Sequence, residues 1–365
     1  MGVATVGVVA LVALVLQLVG GGDHVAFPEV GAPAGKVAGT AYLDNGDGRL
    51  GDGDIPIAGA TVWLGAADLR FAGDRFTSTT DDSGGFVLDV APGATPLGLF
   101  VEVVLPAESP DGSPGRSGVS VRVPAQPGEV RLEVAVPSLP HRCSTPEACA
   151  APLLPDLAPV LGGVEEISDR RMPQDSWSID TTTMIGHKLL RFSSVTANIG
   201  QGPAHVISNV PEGTTEATAG VWQRVWYEGF GFIDRPVGSF VYTSGMGHNH
   251  IHVADFERYR LLDESGAQVA TNEKISFCLM DNLRLTDVST KPIGVFRTAG
   301  ECGDLEQSIS PGWTDYYGEN LDNQWIDVTD VPPGNYEVEI VVDPDGLFLE
   351  SDATNNSVRF PVTIP

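Results

Sequence analysis

The 365-residue sequence predicts an all-β protein with about two domains. Its 43 glycines and 27 prolines favour many turns. Short apolar alternations recur between turn clusters, whereas amphipathic helices are few and no phosphate-binding glycine loop is found. We therefore expect a small β-sandwich over residues 35–137, a linker over 138–153 and a second all-β domain over 154–365.

The charge of the chain excludes two classes of partner. With 21 Lys and Arg against 48 Asp and Glu, the net charge is −27. A nucleic-acid binder needs basic patches, and so does a protein that docks on anionic lipid, so neither is expected. An excess of acidic residues is typical of soluble or salt-adapted proteins, and it also fits a surface that concentrates cationic substrates.

The first residues predict export. Val3 to Val19 is almost wholly apolar and three glycines follow, as in a signal peptide. No Lys or Arg precedes the run and no A-x-A site ends it, so residues 1–22 are a cleaved signal or a retained anchor. Either outcome makes the protein secreted, extracellular or attached to the cell surface, with membrane contact only if the segment is retained. In an exported chain, Cys143 and Cys149 are expected to form a local disulfide.

Alternating apolar residues between turn signals mark the strands of both domains. In the first domain, the predicted strands are Thr61–Leu64, Gly85–Leu88, Leu99–Leu105, Val119–Val123 and Val130–Val136. In the second, they are Leu189–Phe192, Val221–Tyr227, Ser239–Tyr242, Val253–Leu262, Ile275–Leu279 and Tyr336–Val342.

A glycine-rich acidic loop from Asp44 to Asp54 is the notable feature of the first domain. Closely spaced carboxylates on such a loop suit Ca²⁺, although a polar turn without metal fits the residues as well. The loop and the turn over Thr79–Phe86 resemble the B-type prealbumin-like domains of bacterial surface proteins. The resemblance covers about residues 35–137 and implies a spacer or surface module.

Three of the seven histidines lie within five residues: His248, His250 and His252. On an extended strand all three would share one face, but His248 and His252 would be about 13 Å apart at ~3.3 Å per residue. They can meet one ion only if the segment bends, which the glycines at 245 and 247 allow. Imidazole suits copper and zinc alike, and the alternative is a solvated strand without metal. No H-E-x-x-H slot or G-x-S-x-G elbow supports a metallopeptidase or a serine hydrolase.

The segments around and after the cluster resemble the lysyl oxidase family in order from about 154 to 365. The matching segments are His248–Asp263, Lys274–Asp281, Ile309–Gly318, Leu321–Asp330, Pro333–Tyr336 and Leu349–Asn356, with Leu154–Leu157 and Leu189–Phe192 before them. The resemblance implies a lysyl oxidase-like β-sandwich catalytic domain, Cu²⁺ held by the three histidines, and a lysine tyrosylquinone cofactor.

At the matching positions, the resemblance makes Lys274 and Tyr317 the precursors of the quinone, with the neighbouring Tyr316 as the alternative tyrosine. Asp315 is the candidate base, although turn capping is its other interpretation. Cys278 and Cys302 also lie in the matching region, but the cysteines with which animal members of the family pair them are missing here. We therefore expect the two to pair with each other, which would tie the Lys274 strand to the loop before Tyr317.

The function that the resemblance implies is a secreted copper-dependent amine oxidase. It would convert primary amines, small ones or protein lysine side chains, to aldehydes with O₂ and release H₂O₂ and ammonia. Two alternatives stay open: a catalytically inactive surface-binding protein with the same fold, and a zinc-loaded three-histidine site with a structural or hydrolytic role.

Overall fold

The structure, a computed structural model, is built almost entirely from β-strands. It describes residues 36–44, 50–51, 53–66, 76–89, 99–105, 117–123, 130–137, 152–165, 170–208, 218–227, 231–243, 250–272, 276–286 and 306–365. Within these ranges the only helix is α1 (Pro173–Ser176), and no helix there is long and apolar enough to cross a membrane. The prediction of an all-β fold is confirmed. The apolar run over Val3–Val19 lies outside the described residues.

The first module contains eight described strands, and each strand predicted for it is found with its ends within two residues. The strands are β1 (Lys36–Asp44), β2 (Ile55–Pro56), β3 (Thr61–Ala66), β4 (Phe76–Thr79), β5 (Gly85–Asp89), β6 (Leu99–Val104), β7 (Ser117–Arg122) and β8 (Val130–Pro137). One sheet holds β2, β1 and β5, with β8 pairing in parallel on β1, and the other holds β4, β3, β6 and β7. Valines and leucines from both sheets form one buried core between them.

The second module holds the remaining strands. They are β9 (Pro152–Leu153), β10 (Leu157–Pro159), β11 (Ser178–Asp180), β12 (Leu189–Arg191), β13 (Ser194–Asn198), β14 (Ala204–Ser208), β15 (Thr218–Tyr227), β16 (Gly231–Thr243), β17 (His250–Val253), β18 (Glu257–Leu262), β19 (Gln268–Thr271), β20 (Leu283–Arg284), β21 (Glu306–Ile309), β22 (Trp313–Tyr317), β23 (Trp325–Asp327), β24 (Gly334–Val342) and β25 (Ser357–Ile364).

Two sheets of the second module matter for the site. One runs in the order β10-β13-β22-β20, and the other in the order β19-β18-β24-β25. Strands β18, β22 and β24 contribute side chains to a single large core, which also contains Phe192, Phe277 and Phe360. Alternation along β24 directs Val338, Ile340 and other apolar residues into that core, as the sequence pattern predicts.

The two modules share one sheet. Strand β7 pairs antiparallel with the first three residues of β16, and β16 continues into β15, β14 and β21. Gly118 of β7 lies against this junction, because a Cβ there would be 1.9 Å from the Val103 carbonyl oxygen and 2.7 Å from Phe232 Cζ. Next to it, Phe232 and Trp226 form a small cluster with Val104 and Leu153. The first module is therefore joined to the second through backbone pairing and side-chain packing.

Two sequence-based predictions about strands were wrong. The single strand expected over Val253–Leu262 is two strands, β17 and β18, separated by a turn in which Asp255 has φ 55°. Where the strand over Ile275–Leu279 was expected, the described residues from Ser276 onward form an isolated bridge between Val253 and Phe277. Tertiary packing rather than a ladder of hydrogen bonds holds this second segment, since Phe277, Cys278 and Leu279 are fully buried.

Candidate active site

The segment Ser276–Cys278 lies beside the strand that carries the last two histidines. The Val253 amide donates to the Phe277 carbonyl at 2.7 Å, and the Phe277 amide donates to the Val253 carbonyl at 2.9 Å. This antiparallel bridge aligns the end of β17 with the segment that follows Lys274 in the sequence. Backbone hydrogen bonds thus join the strand that carries His252 to the segment that begins two residues after Lys274.

His252 is the predicted metal ligand whose surroundings are described. Its side chain is fully buried, and its Nδ1 lies 3.5 Å from Ser276 Oγ, a long contact in which the donor depends on the tautomer. His250 begins strand β17, but its side chain lies outside the described set, as do His248 and Lys274. The described residues contain no group of three or more His, Cys, Asp or Glu side chains suited to a metal ion.

Tyr317 reaches the same segment from the other side. Strand β22 directs its ring inward, where it packs edge-on against Phe277 with the ring centres 4.9 Å apart. Its hydroxyl accepts a hydrogen bond from the Cys278 amide at 2.7 Å and donates one to the Cys278 carbonyl at 3.0 Å. Burial, and after it the nearby Asp315 carboxylate, raise the pKa of the Tyr317 phenol well above its ordinary value. The phenol is therefore neutral at physiological pH.

Tyr316 points to the opposite face of β22, since successive side chains of a strand alternate. Its hydroxyl lies 3.1 Å from Ser193 Oγ, and its ring carries the Arg170 guanidinium 5.2 Å from the ring centre. Neither contact approaches Ser276–Cys278, so of the two neighbouring tyrosines it is Tyr317 that adjoins the segment after Lys274.

Asp315 shares the inward face of β22 with Tyr317. It is 1% exposed, and its Oδ1 accepts a hydrogen bond from Asn282 Nδ2 at 2.8 Å. This position is an interior one and does not resemble a turn cap. The interior also holds a carboxylate that the sequence reasoning missed, Glu257, which is 2% exposed and bonded to Thr196 and Tyr259.

Other predicted sites fall only partly within the described residues. Asp44 is buried and the Asp54 carboxylate accepts the Gly51 amide, but residues 45–49 and 52 of the acidic loop lie outside, so the Ca²⁺ site stays a prediction. Cys278 is fully buried, whereas Cys143, Cys149 and Cys302 are not described, so both disulfide pairings also stay predictions.

The fold and the site define an all-β protein in which a histidine-bearing strand and a buried tyrosine meet at one short segment. Residues 235–364 match the family model of lysyl oxidase. The resemblance to that family is thereby confirmed.

Among curated proteins, the chain is 35% identical over 177 residues to human lysyl oxidase homolog 3, which is 48% of this chain and 19% of that protein. It is 45% identical over 114 residues to human lysyl oxidase homolog 1, covering 31% of this chain and 18% of the relative. Over the same length it is 44% identical to human protein-lysine 6-oxidase, covering 31% of this chain and 25% of the relative. The matches thus span about a quarter or less of these relatives.

Among solved structures, a shaft pilin from Lactobacillus rhamnosus covers 90% of this chain and 93% of its own at 9% identity, with a TM-score of 0.18. A score this low carries no argument about fold or function, and the resemblance of residues 35–137 to prealbumin-like domains stays a prediction.

Proposed function

We propose that the protein is a copper-dependent amine oxidase that uses a lysine tyrosylquinone made from Lys274 and Tyr317. The supporting observation is the convergence on Ser276–Cys278, which follows Lys274 by two residues. His252 adjoins Ser276 from one side, and Tyr317 is bonded to the Cys278 peptide from the other. The match to the lysyl oxidase family model makes an oxidoreductase that acts on amines the expected class of enzyme.

The residues present fit both groups. A buried imidazole and two neighbouring histidines in the sequence are ligands that copper favours. Tyr317 sits in a water-poor aromatic environment that would protect a reactive ring. When present, copper bound by His248, His250 and His252 and a quinone from Lys274 and Tyr317 would supply the electron acceptor that ordinary side chains lack.

The chain's own residues would handle the proton. We assign Asp315 as the base that takes the proton from the substrate carbon bearing the amine, because its buried carboxylate lies on the same face of β22 as Tyr317. The electron pair of the broken C–H bond passes to the oxidant, and O₂ is finally reduced. One amine, one O₂ and one water thus give one aldehyde, one ammonia and one H₂O₂.

The substrate class is a primary amine, either small or a lysine side chain on a protein, and the reaction would take place outside the cell or at its surface. The net charge of −27 favours cationic amines through long-range attraction.

Replacing Lys274 by Arg tests the cofactor. We expect Lys274→Arg to remove the quinone absorption band, the Lys274–Tyr317 crosslink seen by peptide mass mapping, and H₂O₂ release on addition of a primary amine, while bound metal is kept. Lys188→Arg is the matched control and should retain all of these. Turnover that persists in Lys274→Arg would contradict the assignment. Zinc bound in place of copper would instead support the zinc site. A wild-type chain with neither the quinone band nor turnover would support the inactive binding protein.

A further inference from the structure

A layer of polar side chains crosses the interior of the second module behind Tyr317. In the β13–β22 pair, Ser194 lies opposite Tyr317 and Thr196 lies opposite Asp315. Directly opposed residues of an antiparallel pair project to the same face, which here is the core side, because all four are at most 7% exposed. The facing strand β18 directs Glu257 and Tyr259 into the same layer.

Hydrogen bonds fix the Glu257 carboxylate in this layer. One oxygen accepts a hydrogen bond from the Thr196 hydroxyl, and the other accepts one from the Tyr259 hydroxyl at 2.7 Å. The Tyr259 hydroxyl lies 2.8 Å from Ser194 Oγ and accepts a hydrogen bond from Gln324 Nε2 at 3.0 Å. Burial, and next the Glu257 charge, raise the pKa of Tyr259 well above its ordinary value, so it stays a neutral donor.

Two buried carboxylates therefore flank Tyr317. Thr196 contacts Glu257 and lies opposite Asp315, and both carboxylates act electrostatically on the Tyr317 phenol. Two like charges in a medium of low dielectric constant oppose each other's ionisation. Hydroxyl groups donate to both oxygens of Glu257 and so favour its charged form. The repulsion between the two carboxylates therefore opposes ionisation of Asp315 rather than of Glu257.

Among the described residues, the titratable groups that β18 and β22 direct toward this pair are acidic, while the buried His252 lies on β17 beside Ser276. Strand β18 contributes Glu257 and Tyr259, and β22 contributes Asp315 and Tyr317. On the segment after Phe277, Asn282 is the neutral partner of Asp315, and the adjacent Asp281 accepts the Ser310 amide.

We propose that Glu257 is a positioning residue of the amine-oxidising site, whose fixed negative charge makes Asp315 the carboxylate that takes up the substrate proton. This inference rests on the proposed function. Glu257 does not touch the substrate, and its effect reaches the reaction through Asp315.

The test is Glu257→Gln in the full chain. The substitution removes the charge and keeps the size of the side chain and an acceptor oxygen. We expect the protonation midpoint of Asp315 to fall by about one pH unit or more. Infrared spectroscopy of the buried carboxyl group measures this midpoint, and Asp315→Asn identifies the Asp315 band. The acidic limb of the kcat/KM profile should move in the same direction. Glu337→Gln, which removes a half-exposed glutamate, is the control and should change neither the Asp315 midpoint nor the kcat/KM profile.

A second variant covers the case in which Glu257→Gln does not fold. Tyr259→Phe keeps the glutamate but removes one donor, so the Glu257 charge is less favoured and the Asp315 midpoint should fall by a smaller amount. An Asp315 midpoint that is unchanged in the folded variants overturns the proposal. Because the infrared titration does not require turnover, its failure is distinct from failure of the proposed function, which would appear as a wild-type chain that oxidises no amine.

Discussion

Glu350 is a half-buried carboxylate that links the last loop of the chain to the start of the second module. One of its oxygens accepts the Leu157 amide at 2.9 Å, and the other accepts Asn356 Nδ2 at 2.6 Å. Burial raises the pKa of Glu350 from 4.5 to about 7, against the lowering effect of these donors. The folded protein thus holds this proton more tightly than the unfolded chain does.

This difference predicts a pH dependence of stability. A carboxyl group whose pKa is raised in the folded state contributes stability that is fully present below its unfolded pKa and is lost as pH rises through its folded pKa. For Glu350 the loss falls between pH 4.5 and about 7. We expect the free energy of unfolding of the wild type, relative to that of Glu350→Gln, to be larger at pH 5 than at pH 8 in urea titrations with a metal chelator present. Equal differences at both pH values would contradict the assignment.

At the same scale, some site residues could be predicted from the sequence and others could not. The clustered histidines and Tyr317 stand in recognisable motifs, so sequence order alone suggests them. Glu257 was missed because a glutamate usually indicates an exposed position. The period-two alternation Glu257-Tyr259-Leu261 was the available signal, since it directs the glutamate to the same face as two buried residues.

The turn between β17 and β18 sets the spacing between the histidine strand and the strand that carries Glu257. Asp255 adopts φ 55° in this turn, a left-handed conformation that aspartate tolerates better than most residues. The Ala254 amide donates to the Ser239 carbonyl at 3.0 Å and so fastens the turn to β16. The turn therefore separates two strands that the apolar pattern joins.

Replacing Asp255 by Val should destabilise the protein by about 1–2 kcal/mol, because a β-branched side chain disfavours the left-handed region. Asp255→Asn should remain close to wild type and serves as the control. Urea unfolding followed by tryptophan fluorescence measures both. A valine variant as stable as the wild type would show that the turn does not need this conformation.

Among the elements, strand positions were more predictable than strand endings and pairings. Alternation and turn signals located β3, β5 and β24 closely, because each is bounded by turn residues and buries one face. The break at Asp255 has no glycine or proline to mark it. The apolar residues of Ile275–Leu279 favour a strand in the sequence, but tertiary packing rather than a ladder of hydrogen bonds explains the burial of Phe277, Cys278 and Leu279.

At the scale of the whole molecule, the junction between β7 and β16 joins the two modules in one sheet. Strand β16 pairs with the first module through Gly231–Ile233 and with the histidine strand through Phe240–Thr243, both along the edge opposite β15. Within the second module, the Arg224 guanidinium lies 3.5 Å from the centre of the Phe232 ring and forms a buried ion pair with Asp234. The sequence predicted two modules but gave no signal for this pairing, because an edge strand resembles any other strand.

Replacing Gly118 by Val should break this junction. The new side chain would collide with the Val103 carbonyl and the Phe232 ring, so we expect the two modules to unfold in two separate transitions rather than one. Hydrogen exchange of the amides at 117–119 and 231–233 should also become faster. Gly162→Val is the control, since a Cβ at Gly162 has no neighbour within 4 Å. Unchanged calorimetry and exchange in Gly118→Val would contradict a cooperative junction.

The shared sheet also bears on how the protein can be produced. A shortened version lacking residues 36–137 would leave the Gly231–Ile233 end of β16 without its β7 neighbour. Open strand edges of this kind recruit strands from other copies. Expression of the second module by itself should therefore give aggregates unless lysine or proline is placed at that edge.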